Sequence, residues 1–161
     1  MVVNRATSAK DRVLAGLPYL LPMLLAFRFG IALYLAAIEW FPDAYRGSVA
    51  IAISRLIGLS GSFWPSIGLF AIFFFVVRNR RYAYFLRFNA AQALAIGIGI
   101  HLLLAVLSLL NIVVTSSGNS AIFMAIYLAT YGLCLVSLFQ VARGRLPEFN
   151  YVSDAAKALS A

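Results

Sequence analysis

Charge is scarce in this chain, and acid most of all. Five Asp and Glu, one His and one Cys stand among 161 residues, and charged residues make up 11% of the whole, against about 25% in a soluble domain. Glu39, at an edge, is the one acid that touches an apolar stretch. Paired carboxylates, a metal-ligand cluster and a set of nucleophile, base and orienter are therefore out of reach, and the sequence is read as non-enzymatic, with no catalytic, cofactor or metal residues. The lone Cys134 permits no intrachain disulfide and no Cys-based metal site, and reads as a small core residue. The 13 Lys and Arg give a net charge of +8, but they lie in short loops and tails without the interleaved aromatics of a single-strand binder. A nucleic-acid partner is excluded on that ground. No small-residue cleavage site follows the first apolar block and no long Ser- and Arg-rich leader precedes it. The expectation is a chain without a cleaved signal peptide, bacterial in origin or already trimmed in an organelle.

What the chain has is apolar length, with 63% of its residues hydrophobic. The blocks are too long and uniform for a globular core, so the chain reads as an integral membrane protein with the lipid bilayer as its first partner. Four spans are expected at about 13–38, 59–77, 88–114 and 121–141, with an amphipathic segment at 47–58 and a polar tail at 142–161, in one membrane domain. The fold class is an all-α polytopic bundle of four transmembrane helices, with a short interfacial helix between spans 1 and 2.

The first block is interrupted by Gly16, Pro18, Pro22, Arg28 and Gly30. One reading is a single span; the other is a leading segment bent by the prolines, then a helix from about Met23 to Ile38 with Arg28 reaching toward the basic side. Trp40 and Phe41 look like an interfacial belt at its far end. In the segment after it, Ser48, Ala52, Arg55 and Ser62 fall on one stripe and Val49, Ile53, Leu56 and Ile57 on another, suiting a helix on the membrane surface. Pro65 sits where a second span would start. Ser116 to Ser120 is an uncharged turn between the last two spans, and a short helix started by Ser153 or Asp154 is expected in the tail.

Orientation follows from the bases. The amino-terminal tail carries Arg5, Lys10 and Arg12 against Asp11; the middle loop carries Arg78, Arg80, Arg81 and Arg87 with no acid; the carboxy-terminal tail keeps a small positive excess. On the other side Glu39 and Asp43 cancel Arg46 and Arg55. Both termini and the arginine loop should face the cytoplasm.

Polar residues near or inside the spans are the candidate contacts. Arg87, Asn89 and Gln92 cluster at the basic end of the third span, Asn89 and Gln92 being neighbours at i and i+3. They read either as amides that satisfy backbone groups and bond a neighbouring helix, or as a polar patch at the mouth of a path that Arg78 and Asn79 would share. His101 lies inside the same span, on a face with Ala93, Gly97 and Ala105. It is a packing histidine or a path residue. On the last span Ala125, Ala129 and Gly132 read as a packing face, and Tyr127, Tyr131 and Cys134 as a lining.

Four motifs fall in a recognisable order: Leu17-Pro18-Tyr19-Leu20-Leu21-Pro22, Val76-Val77-Arg78-Asn79, Arg87-Phe88-Asn89-Ala90-Ala91-Gln92-Ala93, and Gly144-Arg145-Leu146-Pro147-Glu148 followed by Val152-Ser153-Asp154-Ala155. From Leu17 to Ala156 the chain resembles the twenty-kilodalton Tic family, the membrane subunit of the translocon at the chloroplast inner envelope, with its cyanobacterial homologues. It departs from that pattern at Ala26-Phe27-Arg28-Phe29-Gly30, which is more apolar than the acidic, proline-bearing stretch expected there. The resemblance implies four membrane helices with both termini stromal or cytoplasmic, and a subunit of a protein-import assembly (TIC complex) contributing to a protein-conducting path. It implies other translocon subunits and a translocating polypeptide as partners. It directs attention to Arg78, Asn79, Arg87, Phe88, Asn89 and Gln92. Four spans are few to enclose a polypeptide, so an oligomer is expected. A cyanobacterial plasma or thylakoid membrane, or the chloroplast inner envelope, is the expected location. The alternatives are a small ion or solute channel or transporter using His101, Asn89 and Gln92, and a scaffold subunit of a membrane complex.

Overall fold

The first helix starts ahead of the apolar block, and a capping box is the reason. Ser8 Oγ accepts from the backbone N–H of Asp11 at 3.1 Å, and the Asp11 carboxylate accepts from Ser8 N–H at 3.1 Å, satisfying open donors of the first turn. The computed structural model describes residues 8–43, 47–110, 120–147 and 149–160. Within them α1 runs Ala9–Trp40, a helical stretch of 32 residues or roughly 48 Å at 1.5 Å per residue. That exceeds a hydrocarbon core of about 30 Å.

Pro18 and Pro22 do not divide α1 into a leading segment and a separate helix from Met23. The chain absorbs them in a 3-10 turn at Leu17–Tyr19, closed by Leu20 N–H on Leu17 O, and a second 3-10 turn follows at Arg28–Gly30. Pro22 has no N–H for the carbonyl four residues back and its ring would crowd it; tightening the chain at that point relieves both problems.

Helix α2, Ser48–Gly61, and α3, Trp64–Val77, meet at a bend of 62°. Leu59 to Gly61 complete α2, so α3 opens at Trp64 with Pro65 in its first turn. Against α1, the α2 face at Ala50, Ile53, Ile57 and Ser60 is the less exposed one, while Val49 and Leu56 of the expected apolar stripe point outward. At 14 residues α3 spans only roughly 21 Å, and its last five, Phe73–Val77, are wound as a π-turn.

Two long helices complete the crossings: α4, Tyr84–Leu109, and α5, Ser120–Ala142. The Ser116 to Ser120 turn lies, up to residue 119, outside the described residues, as do Arg5 and Arg46. Among the described residues three helices are long and apolar enough to cross a membrane, and four if the bent α2–α3 pair is one span. Gly144, at φ 71°, ends α5: Arg145 N–H bonds Gln140 O at 2.9 Å and Gly144 N–H bonds Val141 O at 2.8 Å, the paired closure that favours glycine in the left-handed region.

Beyond it the tail forms α6, Asn150–Ser160, which begins earlier than Ser153 or Asp154. Ser153 works from inside the helix, its Oγ accepting from Phe149 N–H at 2.6 Å and donating to Pro147 O at 3.2 Å. Nor is the tail simply polar. Ser153 and Ala156 are buried against the bundle, Ala156 in a cluster with Val77, Phe88, Ala90 and Ala91, while Asp154 and Lys157 pair on the outer face at 3.7 Å. The result is an all-α polytopic bundle with no strand among the described residues. Helix α4 is its hub: α1, α3 and α6 all pack on it, and Phe88 to Leu94 are buried on every side.

Candidate functional site: an amide centre below an arginine rim

Two of the sequence motifs meet in the middle of the bundle. The 3-10 turn at Leu17–Tyr19 aims Tyr19 at α4, where its hydroxyl donates to Asn89 Oδ1 at 3.1 Å. Asn89 Nδ2 donates in turn to Phe85 O at 2.7 Å, one turn back on α4. Ser137 of α5 adjoins the Tyr19 hydroxyl and bonds Leu133 O at 2.8 Å. Tyr19, Asn89 and Ser137 are all buried, so α1 and α4 are joined by a hydrogen bond where no solvent competes for it.

Gln92 lies one turn beyond Asn89 and is equally buried. Its Oε1 and Nε2 are enclosed with no hydrogen-bond partner among the described residues. A buried amide left unpaired works against stability, so this side chain is not explained by holding the bundle together.

The arginine rim stands at one end of this centre. Arg87 Nε donates to Val77 O at 3.0 Å and Arg12 Nη1 to Ala142 O at 3.1 Å, so each meets a carbonyl at the end of a helix, where positive charge also favours the helix dipole. In the loop, Asn79 Oδ1 accepts from Arg81 N–H at 3.1 Å and Asn79 O from Tyr82 N–H at 3.2 Å. Asn79 thus shapes the turn that presents Arg78, Arg80 and Arg81, all exposed. Phe88 is buried beside Tyr84, ring centroids 5.9 Å apart.

His101 belongs elsewhere. Its Nδ1 lies 2.9 Å from Gly97 O and its Nε2 2.8 Å from Ser66 Oγ. A carbonyl only accepts, so Nδ1 carries the proton and Nε2 accepts from the Ser66 hydroxyl. Gly97 leaves room for Leu69: a Cβ there would stand 2.6 Å from Leu69 Cδ1, so a side chain of α3 packs directly on the backbone of α4. The pair borders an apolar groove of about 590 Å³ that Phe63, Phe70, Ile98, Leu102 and Leu159 help to line. Twelve residues, roughly 18 Å of helix, separate His101 from Asn89. Arg28, within α1, has its guanidinium 5.5 Å from the Phe29 ring and its Nε buried without a hydrogen bond among the described residues.

The seven sequence candidates therefore divide. Asn89, Gln92 and Phe88 share the enclosed hub, Arg87 ties it to the end of α3, Arg78 and Asn79 form the rim, and His101 stands apart. Of the two readings of the amides, Asn89 takes the first, bonding a neighbouring helix and a backbone carbonyl, and neither Asn89 nor Gln92 opens to solvent as a patch at a mouth would. On α5 the two expected roles exchange: Tyr127, Tyr131 and Cys134 pack inward, whereas Ala125, Ala129 and Gly132 are exposed. Tyr19, Ser137 and Ser66 were not identified from the sequence. Tyr19 alone carried a signal, being flanked by two prolines within a family motif.

Three helices among the described residues, or four with the bent pair, long and apolar enough to cross a membrane define a multi-pass integral membrane protein of helical-bundle type. Over residues 6–156 the chain matches the family model described as chloroplast import apparatus Tic20-like, and it belongs to that family. A protein of Synechocystis sp. named Tic20 family protein is 29% identical over 160 residues, covering 97% of this chain and 96% of that one. No solved structure matches.

Proposed function

We propose that this chain is a non-enzymatic membrane subunit of a protein-translocation assembly and contributes to a protein-conducting path. Its family is the first support. The observation that carries the reading further is Gln92, an amide buried at the hub with neither end bonded to the described protein. Such a group is costly in a closed bundle and useful if the helices around α4 part to admit a polypeptide, whose backbone supplies donors and acceptors. In that reading Asn89 and Gln92 meet the passenger, Phe88 seals the closed state, and Arg78, Asn79 and Arg87 form the approach on the cytoplasmic or stromal side.

One copy is too small to enclose a polypeptide, so the path forms between copies or with partner subunits. The outward Ala125, Ala129 and Gly132 face of α5 suits close helix association. The transporter alternative has less support, since both His101 ring nitrogens are engaged within the bundle. A scaffold role predicts partners but no passenger contact. The membrane is that of a cyanobacterium, plasma or thylakoid, or the chloroplast inner envelope in a plastid. Depleting the chain from its native membrane tests the proposal: precursor polypeptides should accumulate on the arginine side and be cleared on resupply. Unchanged delivery of every membrane-crossing polypeptide would refute it.

A further inference from the structure

Arg28 stands deep within α1, twelve residues or roughly 18 Å along the axis from Trp40. With Trp40 at the interface, that depth compares with a hydrocarbon half-thickness of about 15 Å and puts the charge near mid-membrane. The turn Arg28–Gly30 packs on α2 and α5, and Arg28 Nε is buried. Among the described residues no hydrogen bond or ion pair meets the guanidinium, which lies over the Phe29 ring at 5.5 Å. Nor does an acid stand at that depth. Glu39 is eleven residues, roughly 17 Å, further along α1, and Asp11 is seventeen residues, roughly 26 Å, the other way. Asp43 lies past the end of α1, Asp154 pairs with Lys157, and Glu148 follows Pro147 in the tail.

We propose that Arg28 pairs with the carboxylate of an Asp or Glu inside a transmembrane helix of a different membrane subunit, docked along the Leu24, Arg28, Ala32 and Leu35 side of α1. A charge near mid-membrane is costly unless a counter-charge or a water-filled cavity meets it, and the guanidinium fork matches a carboxylate with paired donors. Those four residues share one side of the helix. Leu24, Arg28 and Ala32 are half-buried there and Leu35 is exposed, which leaves room for a further helix. A second copy does not supply the acid, because in the same orientation its Glu39 lies at the height of this chain's own. A lipid phosphate stands about 20 Å from the midplane, and the buried Nε keeps the side chain from stretching to it. A passenger would answer the charge only in transit, whereas the cost is permanent. The pairing does not depend on the translocation reading.

The test places a photoreactive residue at Ala32 of the full chain in its native membrane, with no precursor engaged, and sequences the captured peptide. The expected capture is an apolar span that carries an Asp or Glu. Arg28→Gln should lower the adduct about tenfold, the scale of one interhelical polar contact in a bilayer, while Arg28→Lys, which keeps the charge, should retain most of it. Arg28→Glu combined with a lysine in place of the captured acid should restore capture. In mixed micelles the isolated Arg28→Gln chain should melt no earlier than wild type, since no bond within the described protein is lost, and this separates lost docking from lost folding. Capture of lipid alone, of a second copy or of a span without an acid would overturn the pairing, as would an adduct that Arg28→Gln leaves unchanged. An earlier melt would overturn it too, because Arg28 would then have its partner within its own chain.

Discussion

Replacing Gln92 with methionine should make this protein more stable. The change keeps an unbranched chain of similar volume and removes an amide whose oxygen and nitrogen are both buried without a partner in the described protein. Each unmet polar group costs about 1–3 kcal/mol in a soluble core. In a bilayer the scale is smaller, because the unfolded helices also find partners and interhelical bonds average about 0.6 kcal/mol. A gain of about 1–2 kcal/mol is therefore expected, less any repacking strain. Asn89→Leu, one turn away, should do the opposite. It breaks the bond from Tyr19 and leaves that buried hydroxyl without its acceptor, a loss of about 1 kcal/mol. Equilibrium unfolding in mixed micelles, followed by the fluorescence of Trp40 and Trp64, measures both. A destabilisation of more than about 1 kcal/mol by Gln92→Met would refute the reasoning, since only an amide with a firm partner would be missed to that extent. If Gln92 serves a passenger, the more stable variant should also transport more slowly.

Gly97→Ala should destabilise the bundle by about 1–3 kcal/mol through its clash with Leu69, and Leu69→Ala should recover part of the loss in a thermal melt; independent, additive effects would show that α3 and α4 do not meet there. Gly132→Leu, on the outward face of α5, should leave the monomer folded while reducing the assembled mass seen by native electrophoresis in mild detergent. An unchanged mass would exclude that face as the contact between copies. For topology, cysteines placed at Arg80 and at Phe41 in a Cys134→Ala background should be labelled from opposite sides of the membrane, and labelling from one side would overturn the orientation.

The crossings were legible because long apolar blocks leave few alternatives, and Gly144 announced the end of α5 by the one conformation that asks for glycine. The course of α1 was not. Pro18 and Pro22 left a single span and a bent one both open; a 3-10 turn absorbs them, and the choice between bend and turn depends on the neighbours that bury Tyr19 and Pro22. The junction between the surface segment and the second span was placed at residues 58–59, whereas α2 runs on to Gly61 before the bend into α3, because Leu59 to Gly61 could continue either helix locally. Motif residues Asn89 and Gln92 stood out as polar groups near a span, but sequence could not tell an open patch from an enclosed hub. That distinction rests on α1, whose Tyr19 reaches Asn89, and on α6, which packs on the same stretch of α4 through Ala156 with inward residues too few to signal burial on their own. The reversal on α5 has the same origin: small residues and tyrosines both suit helix contacts, and only the positions of α1 and α4 decide which face turns inward.

The most direct test of the path is a photoreactive residue at position 92 in the full chain, in its native membrane, with a precursor polypeptide arrested in transit. The account predicts an adduct between Gln92's position and the arrested chain, absent when no precursor is engaged, and adducts to a second membrane subunit from Ala129. Transport that proceeds normally while neither position 92 nor any other on the hub of α4 ever captures the passenger would contradict it.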